Sequence, residues 1–310
     1  MKLRSKIFAS AMALMLFVAM CMPMAGALAA PVVNKVGSQT LTKVADTTDT
    51  KKEILSNDKA QVDVTNTADG YVQVAYTGGS KAKIKAIVTG PKGTQYNYDL
   101  NNEGKFETFL LGEGDGDYSV GVYVNTTGNK YTTAYTAKFK VKLKNQFAPF
   151  LVSNQYVNYT TKSKAVEQAT TLVKGEKEDV KKLAKIYEYV VTTLVYDKEK
   201  AASVKSGYLP DIDKVLAAKK GICFDYASLM TAMLRSQGIP CKLVIGYTGT
   251  TYHAWINAYL DKEGWVDSII YFDGKNWKLM DPTFASSSNS SSSVMKYIGD
   301  GTNYSAKYYY

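Results

Sequence analysis

The sequence predicts an α+β protein in which an N-terminal β-sandwich precedes a second domain of helices and strands. Apolar and polar residues alternate with period two between about residues 60 and 145, whereas from about residue 150 apolar residues recur at helical spacing. Glycine-rich turn clusters separate the alternating segments. We therefore predict a domain boundary near residue 147.

The alternating half, residues 59–146, is predicted to be a small antiparallel sandwich of immunoglobulin-like type. Its strongest strand patterns are YVQVAY, KAKIKAIV, YSVGVYV and KFKVKLK. In the last of these, Phe139, Val141 and Leu143 face a core while the intervening lysines face water.

One stretch of this half, DLNNEGKFETFL, begins like a calcium-binding loop. Asp99, Asn101, Glu103 and Gly104 have the early spacings of such a loop, but Leu110 occupies the place of the bidentate glutamate. Because strand patterns flank the stretch on both sides, we predict a hairpin turn there and no metal site.

Residues 1–29 have the order of a secretory signal peptide. A basic start, an apolar run and a set of small residues follow one another and predict cleavage after Ala29. A lipoprotein signal at Cys21 is the alternative, but the bulky Met20 directly before that cysteine disfavours it. We therefore expect a secreted or cell-wall-associated protein in which residues 30–58 are a flexible lead-in.

The charge distribution excludes one class of partner. The formal net charge is +10, and the basic residues are almost all lysines scattered along the chain, a pattern typical of a solvated surface that could also attract anionic wall polymers. Arginines interleaved with aromatic residues are absent from the sequence, so we expect no nucleic-acid partner. After the signal peptide no apolar stretch is long enough for a stable membrane span. The oligomeric state stays open.

The second domain, residues 147–284, is predicted to begin with helices. Ser163 is placed to cap a helix that reaches about Val173. After Gly175, a longer helix has an apolar face that repeats from Val180 to Leu194. The segment DIDKVLAAKK predicts a short third helix.

Cys223 lies at the predicted start of the next helix, in KKGICFDYASLM. Apolar residues repeat at helical spacing after it, and Gly238 and Pro240 predict where the helix ends. Unpaired amides and the helix dipole at an N-terminus favour a thiolate, and the same amides can hold an oxyanion. Cys223 is therefore the candidate nucleophile.

A thiolate nucleophile needs an imidazole partner, and the chain has one histidine. His253 lies in TYHAWINAYL, which alternates like a strand, with His253, Trp255 and Asn257 on one side. The segment KNWKLMDPTF predicts another strand that ends at Asp281, where a carboxylate could orient the imidazole. Cys223, His253 and Asp281 are therefore the candidate catalytic residues.

Three segments, GICFDYASLMTAMLRSQGIPCKLVIGY, YHAWINAYL and WKLMDPTF, resemble the transglutaminase-like superfamily, which is built on a papain-like cysteine-enzyme fold. The resemblance covers roughly residues 150 to 284, and the chain looks like a secreted bacterial member of the superfamily. It implies that Cys223 is the acyl-accepting nucleophile, His253 the general base and acid, and Asp281 the residue that orients the ring.

The resemblance also implies a reaction. Members of this superfamily perform acyl transfer or hydrolysis at an amide, either a glutamine side chain or a peptide bond, so a protein or a wall peptide is the expected substrate. The large animal members depend on calcium and carry extra domains, but nothing in this sequence resembles those parts. We therefore expect no cofactor and no metal.

Several alternatives remain open at this point. Cys223 and Cys241 could form a disulfide, although Cys241 opens an apolar strand as buried free cysteines often do. The protein could be a catalytically silent module that binds wall polymers or surface proteins. Tyr196 or Tyr208 could supply a second oxyanion donor. The Ser-rich linker and Tyr-rich tail, residues 285–310, could end in a last strand or in an exposed aromatic segment.

Overall fold

A computed structural model describes residues 52–261, 263–267, 270–272, 277–279 and 303–310. The predicted signal peptide with its cleavage site, most of the lead-in, Asp281 and the Ser-rich linker lie outside the described residues. All described residues belong to one unit of the chain, Ser38–Tyr310. Within them, no helix is both long and apolar enough to cross a membrane.

The N-terminal half contains two four-stranded antiparallel sheets. Its strands are β1 (Ile54–Ser56), β2 (Ala60–Asp63), β3 (Tyr71–Tyr76), β4 (Ile84–Thr89), β5 (Gln95–Leu100), β6 (Glu107–Leu110), β7 (Gly116–Thr127) and β8 (Lys130–Val141). The strand orders are β1-β2-β3-β6 and β5-β4-β7-β8. The predicted strand patterns are therefore confirmed, whereas the immunoglobulin-like classification stays a prediction.

Alternation decides which side of each strand is buried. In β4, Ile84, Ala86 and Val88 are almost fully buried while the residues between them are partly exposed. The inner faces of both sheets contribute to one hydrophobic core. Strand β1 lies within the segment 30–58, which the sequence predicts to be a flexible lead-in. Its three residues are nevertheless ordered by pairing with β2.

The predicted hairpin in DLNNEGKFETFL is wrong, because β5 and β6 belong to different sheets. The stretch crosses from one sheet to the other, and Asp99 at its start forms an ion pair with Lys85 at 2.6 Å. The main-chain and side-chain amides of Asn101 both donate to Glu107 Oε1 at 2.7 Å. Turn residues look alike in both kinds of connection, so they do not specify which sheet the next strand joins.

The described residues of the second half contain five α-helices. They are α1 (Lys164–Leu172), α2 (Asp179–Thr193), α3 (Lys198–Ser203), α4 (Ile212–Ala218) and α5 (Cys223–Ser236). Its strands are β9 (Val195–Tyr196), β10 (Lys220–Gly221), β11 (Cys241–Thr248), β12 (Thr251–Leu260), β13 (Gly264–Val266), β14 (Ile270–Phe272), β15 (Trp277–Leu279) and β16 (Tyr304–Tyr309).

The predicted helices are confirmed within a residue or two of their expected ends. Helix α1 starts directly after Ser163, although its first amides are bound by another residue. Lys164 and Ala165 each donate a main-chain N–H to the Asp213 carboxylate of α4 at 3.0 Å. This contact satisfies two of the amides that a helix start leaves without intrahelical partners.

Helix α5 is the central helix of the second half. Every residue from Asp225 to Arg235 is buried, as expected of a helix with neighbours on all sides. It packs against α1, α2 and α4 and against β11 and β12. Cys223 and Phe224 at its N-terminal end are only partly buried.

The sheet that packs on α5 has the strand order β13-β12-β11-β16. The Tyr-rich end of the chain forms its edge strand β16, which pairs antiparallel with β11. Of the two alternatives for this segment, the structure has the last strand. The aromatic end therefore completes the sheet that contains the candidate histidine.

Candidate active site at the N-terminus of helix α5

Cys223 is the first residue of α5 and is half-buried. The chain reaches it through β10, which pairs in parallel with β9. Val195 donates its main-chain N–H to the Lys219 carbonyl at 2.9 Å, and Asp197 donates to the Gly221 carbonyl at 2.8 Å. The main chain directly before the thiol is thus fixed by hydrogen bonds to the segment that precedes α3.

Asp225, the third residue of α5, has a completely buried carboxylate. Its Oδ2 accepts the Ile222 main-chain N–H at 2.8 Å and the Lys200 ammonium at 2.6 Å. Its Oδ1 accepts the Tyr208 hydroxyl at 2.5 Å. One side chain therefore ties the residue before Cys223 to α3 and to the segment around Tyr208.

The sequence makes Tyr208 a candidate for a second oxyanion donor. Its hydroxyl donates to Asp225 and accepts from the Lys200 ammonium at 2.6 Å. Burial first, and then the hydrogen bond and charge of Asp225, raise the pKa of Tyr208 well above its ordinary value. The hydroxyl is thus engaged in holding Asp225.

Both cysteines among the described residues are free, so the structure does not contain the alternative disulfide. Cys241 is fully buried, as predicted, and its Sγ lies 3.6 Å from Thr231 Oγ1 of α5. Burial raises the pKa of the Cys241 thiol to about 12. The two thiols therefore differ sharply in access to solvent.

His253 is the third residue of β12 and is 6% exposed. It lies opposite Gly246 of β11, and its ring is stacked with Trp255 at a centroid distance of 6.2 Å. The Tyr304 ring of β16 is 6.4 Å away. The strand prediction is confirmed, including the shared side of His253 and Trp255.

The pairing of β11 with β12 shows which face of the sheet packs on α5. Cys241 contacts α5 and is paired with Ala258 of β12, so the face that contains Ala258 and Ala254 is the one that packs on the helix. By alternation the His253 side chain leaves β12 on the other face. Pairing of the Cys223 thiolate with the His253 imidazole stays a prediction, and Asp281 lies outside the described residues.

Tyr252 of β12 is close enough to Cys223 for their charges to interact. Its pKa is raised first by desolvation, then by the charges of Tyr156, Tyr308 and Tyr247, and also by that of Cys223. The phenol and the thiol are therefore within electrostatic range of each other. The beginning of β12 thus lies near the N-terminus of α5.

Aromatic side chains from several parts of the chain surround Phe224, the residue after Cys223. The Tyr156 ring is 5.6 Å from Phe224, and the Tyr208 ring is 6.3 Å from it. Tyr156 also contacts Tyr98 of β5 at 5.5 Å and Tyr310 at 4.4 Å. The N-terminal half and the C-terminal strand both contribute to the surroundings of the candidate nucleophile.

The sequence did not point to Asp225 or Lys200. An acidic residue three positions after a helix-capping position is a recognisable helix-start pattern, and Ile222 and Asp225 have that spacing. Nothing local pairs Asp225 with Lys200, which lies 25 residues earlier. In the part of the chain that the structure describes, no group of three or more histidine, cysteine, aspartate or glutamate residues is placed to hold a metal ion.

Comparison with known proteins gives one family match. Residues 166–268 match the model of the transglutaminase-like superfamily, which confirms the resemblance for that segment. A segment covering 16% of this chain is 33% identical to the uncharacterized protein YebA of Bacillus subtilis (strain 168). That segment covers 9% of the relative's own length.

Two solved structures are similar at low identity. A candidate cysteine protease from Cytophaga hutchinsonii aligns with 18% identity and a TM-score of 0.34, covering 69% of this chain and 78% of its own. Red sea bream transglutaminase aligns with 13% identity and a TM-score of 0.25, and the alignment covers 69% of this chain and 48% of the transglutaminase chain. TM-scores this low do not establish a common overall arrangement, so the family assignment stands on residues 166–268.

Proposed function

Since residues 166–268 form a transglutaminase-like domain, we propose that this protein is an exported cysteine enzyme that performs acyl transfer or hydrolysis at an amide. The amide is a glutamine side chain or a peptide bond of a protein or wall peptide. Cys223 is the nucleophile, His253 the general base and acid, and Asp281 the residue that orients the imidazole.

The reaction has two halves. The Cys223 thiolate attacks the amide carbonyl, a C–S bond forms, and the C–N bond breaks as the leaving nitrogen takes a proton from the His253 imidazolium. Ammonia leaves from a glutamine side chain, whereas an amine leaves from a peptide bond. Water or a lysine amine then gives its proton to His253, attacks the thioester and releases the thiolate.

The single observation that carries the proposal is the position of the Cys223 thiol. It is half-buried, unbridged and on the first residue of a buried helix. The first amides of any helix have no intrahelical acceptor and point toward a group at this position, so they can stabilise the oxyanion of a tetrahedral intermediate. Cys241, which is fully buried, has neither feature.

The mechanism requires the His253 imidazole to come within hydrogen-bond reach of Cys223 Sγ, so the start of β12 must turn the ring away from the face on which strand alternation places it. Since the chain has one histidine, no other imidazole can replace it. His253→Ala should therefore abolish turnover as thoroughly as Cys223→Ala, and Asp281→Ala should leave more residual rate. Members of one catalytic unit are not additive, so the double variant at Cys223 and His253 should be no slower than either single variant.

The substrate experiment uses the chain without residues 1–29, glutamine-containing peptides and a tagged primary amine. Mass spectrometry separates amine incorporation, deamidation and chain cleavage. We expect one of the three products from the wild type and from the matched control Cys241→Ala, and none from Cys223→Ala. Product formation by folded His253→Ala at the wild-type rate would overturn the mechanism, and equal inactivity of all proteins would favour a silent binding module.

A further inference from the structure

The Asp225 carboxylate lies in the first turn of α5, two residues after the candidate nucleophile. A carboxylate is favoured there by the helix dipole, but an uncompensated negative charge in the same turn opposes formation of a thiolate. The structure supplies the compensation from another element, because the Lys200 ammonium of α3 lies 2.6 Å from Asp225 Oδ2.

Lys200 is itself held in place. Its main-chain N–H donates to the Asp197 carboxylate at 2.9 Å, which caps the start of α3. Its ammonium also donates to the Tyr208 hydroxyl and lies 4.2 Å from the centre of that ring. The lysine side chain is about a quarter exposed and the aspartate carboxylate is fully buried, so the pair is shielded from water on one side.

The turn before Cys223 fits closely around the same carboxylate. A side chain on Gly221 would place its Cβ 2.7 Å from Asp225 Cβ, so only glycine fits there without movement. Asp225 Oδ2 also accepts a hydrogen bond from the Ile222 main-chain N–H, which fixes the direction of that amide. The position of the Cys223 main chain therefore depends on Asp225.

We propose that Asp225 and Lys200 are positioning residues that fix the turn carrying Cys223 and balance the charge beside its thiol. Asp225 holds the main chain through Ile222, and Lys200 offsets the carboxylate charge so that the thiolate is not repelled. This inference rests on the proposed function, but it concerns the reactivity of the thiol and needs no substrate.

Other charged or titratable groups also face this end of the helix. Tyr252 comes from β12, Tyr156 from the segment before α1, and Tyr208 and Asp211 from the segment before α4. The imidazole of His253, also on β12, is the group that the proposed mechanism brings to the thiol. Strand β10 brings Lys220, which is paired with Asp197 at 3.3 Å and with Glu199 at 3.9 Å. The experiment leaves all of these groups unchanged and alters the one charge pair.

The test is the pH dependence of Cys223 alkylation by iodoacetamide, followed by peptide mapping in the folded protein. Lys200→Met removes a positive charge, so the midpoint of alkylation should move to higher pH, by an amount of the order of one pH unit. Asp225→Asn removes the negative charge, so the midpoint should move to lower pH by a similar amount. The double variant should return close to the wild-type midpoint, and Lys200→Arg should behave like wild type.

The opposite directions distinguish charge balance from mere structural support. Loss of support alone would lower reactivity and the melting temperature in both single variants without opposed midpoints. Shifts in the same direction, or none, in variants that keep the wild-type circular dichroism would overturn the inference. If no substrate is ever turned over, the proposed function fails while the opposed alkylation midpoints still stand.

Discussion

The two ends of helix α5 each have a cysteine and a buried charge, but they place them in different surroundings. Cys223 begins the helix and is half-buried, whereas Cys241 starts β11 beyond the other end and is fully buried. Asp225 is the buried charge of the first end, and Arg235 is that of the second. Similar residue types are therefore found near both ends, but the thiol near the first end is half-buried and the one near the second is fully buried.

The partners of the two charges differ in kind. Asp225 is bound by two side chains from other elements and by one main-chain amide. Arg235 donates to three main-chain carbonyls, those of Cys241, Val152 and Tyr310, at 2.6 to 2.8 Å. The guanidinium joins three distant segments through its fixed donors, while the carboxylate is balanced by the ammonium of Lys200. The C-terminal end is thus tied to three main-chain segments, whereas the N-terminal end is held by side chains from other elements, two residues from the candidate nucleophile.

The largest expected effect is the difference in reactivity between the two thiols. With the pKa of Cys241 raised to about 12, on the order of one molecule in 10⁵ has the Cys241 thiolate at pH 7, and burial also blocks access. We expect iodoacetamide at pH 7 to label Cys223 at least about 1,000-fold faster in the native protein. Unfolding in denaturant should equalise the two rates, and equal labelling without denaturant would contradict the comparison.

The next effect concerns stability at the other end. Arg235→Met leaves three carbonyls without their donor, so the free energy of unfolding should fall by about 3 kcal/mol or more. Lys164→Met, a change at an exposed ion pair, should cost well under about 1 kcal/mol. Urea unfolding measures both. A loss for Arg235→Met no larger than that of the control would show that the arginine does not join the segments.

Local patterns explain why the helices were predictable. The apolar repeat from Val180 to Leu194 and the glycine and proline after α5 are properties of neighbouring residues, so they fixed the helix positions closely. For the same reason Cys223 was correctly expected to be the first residue of its helix.

The contacts that complete the site were not predictable in this way. Asp225 and Lys200 are 25 residues apart, and Arg235 and Tyr310 are 75 apart. Sequence period says which face of an element is buried, but it does not say which distant element covers that face. The pairing of β16 with β11 and the crossing from β5 to β6 were missed or mistaken for that reason.

Alanine substitutions at two glycines, Gly221 before α5 and Gly238 after it, should have a smaller effect on stability. Gly221→Ala places a Cβ 2.7 Å from Asp225 Cβ, so the turn before Cys223 must move. Gly238→Ala meets no atom within 4 Å, but its φ of 80° is strained for alanine. Both should cost about 1 to 2 kcal/mol of stability, and only Gly221→Ala should slow Cys223 alkylation, by several-fold. Equal alkylation rates in the two folded variants would contradict a role for the turn.

The smallest effect comes from Lys242, which follows Cys241 and lies 3.7 Å from the Trp265 ring centre and 4.8 Å from that of Phe150. Burial lowers the pKa of Lys242 to about 8, although the negative charge of Asp267 acts in the opposite direction.

Between pH 8 and about pH 10 the unfolded lysine keeps its proton while the folded one loses it, so this group makes the free energy of unfolding rise with pH. Lys242→Met should remove that rise, which is on the order of 1 kcal/mol across the window. Above about pH 10, tyrosines whose pKa is raised by burial, such as Tyr156, ionise first in the unfolded chain and reverse the trend. The measurement is urea unfolding at pH 7.5 and pH 9.5 of wild type, Lys242→Met and the exposed control Lys307→Met, and the same pH response in all three would contradict a titrating Lys242.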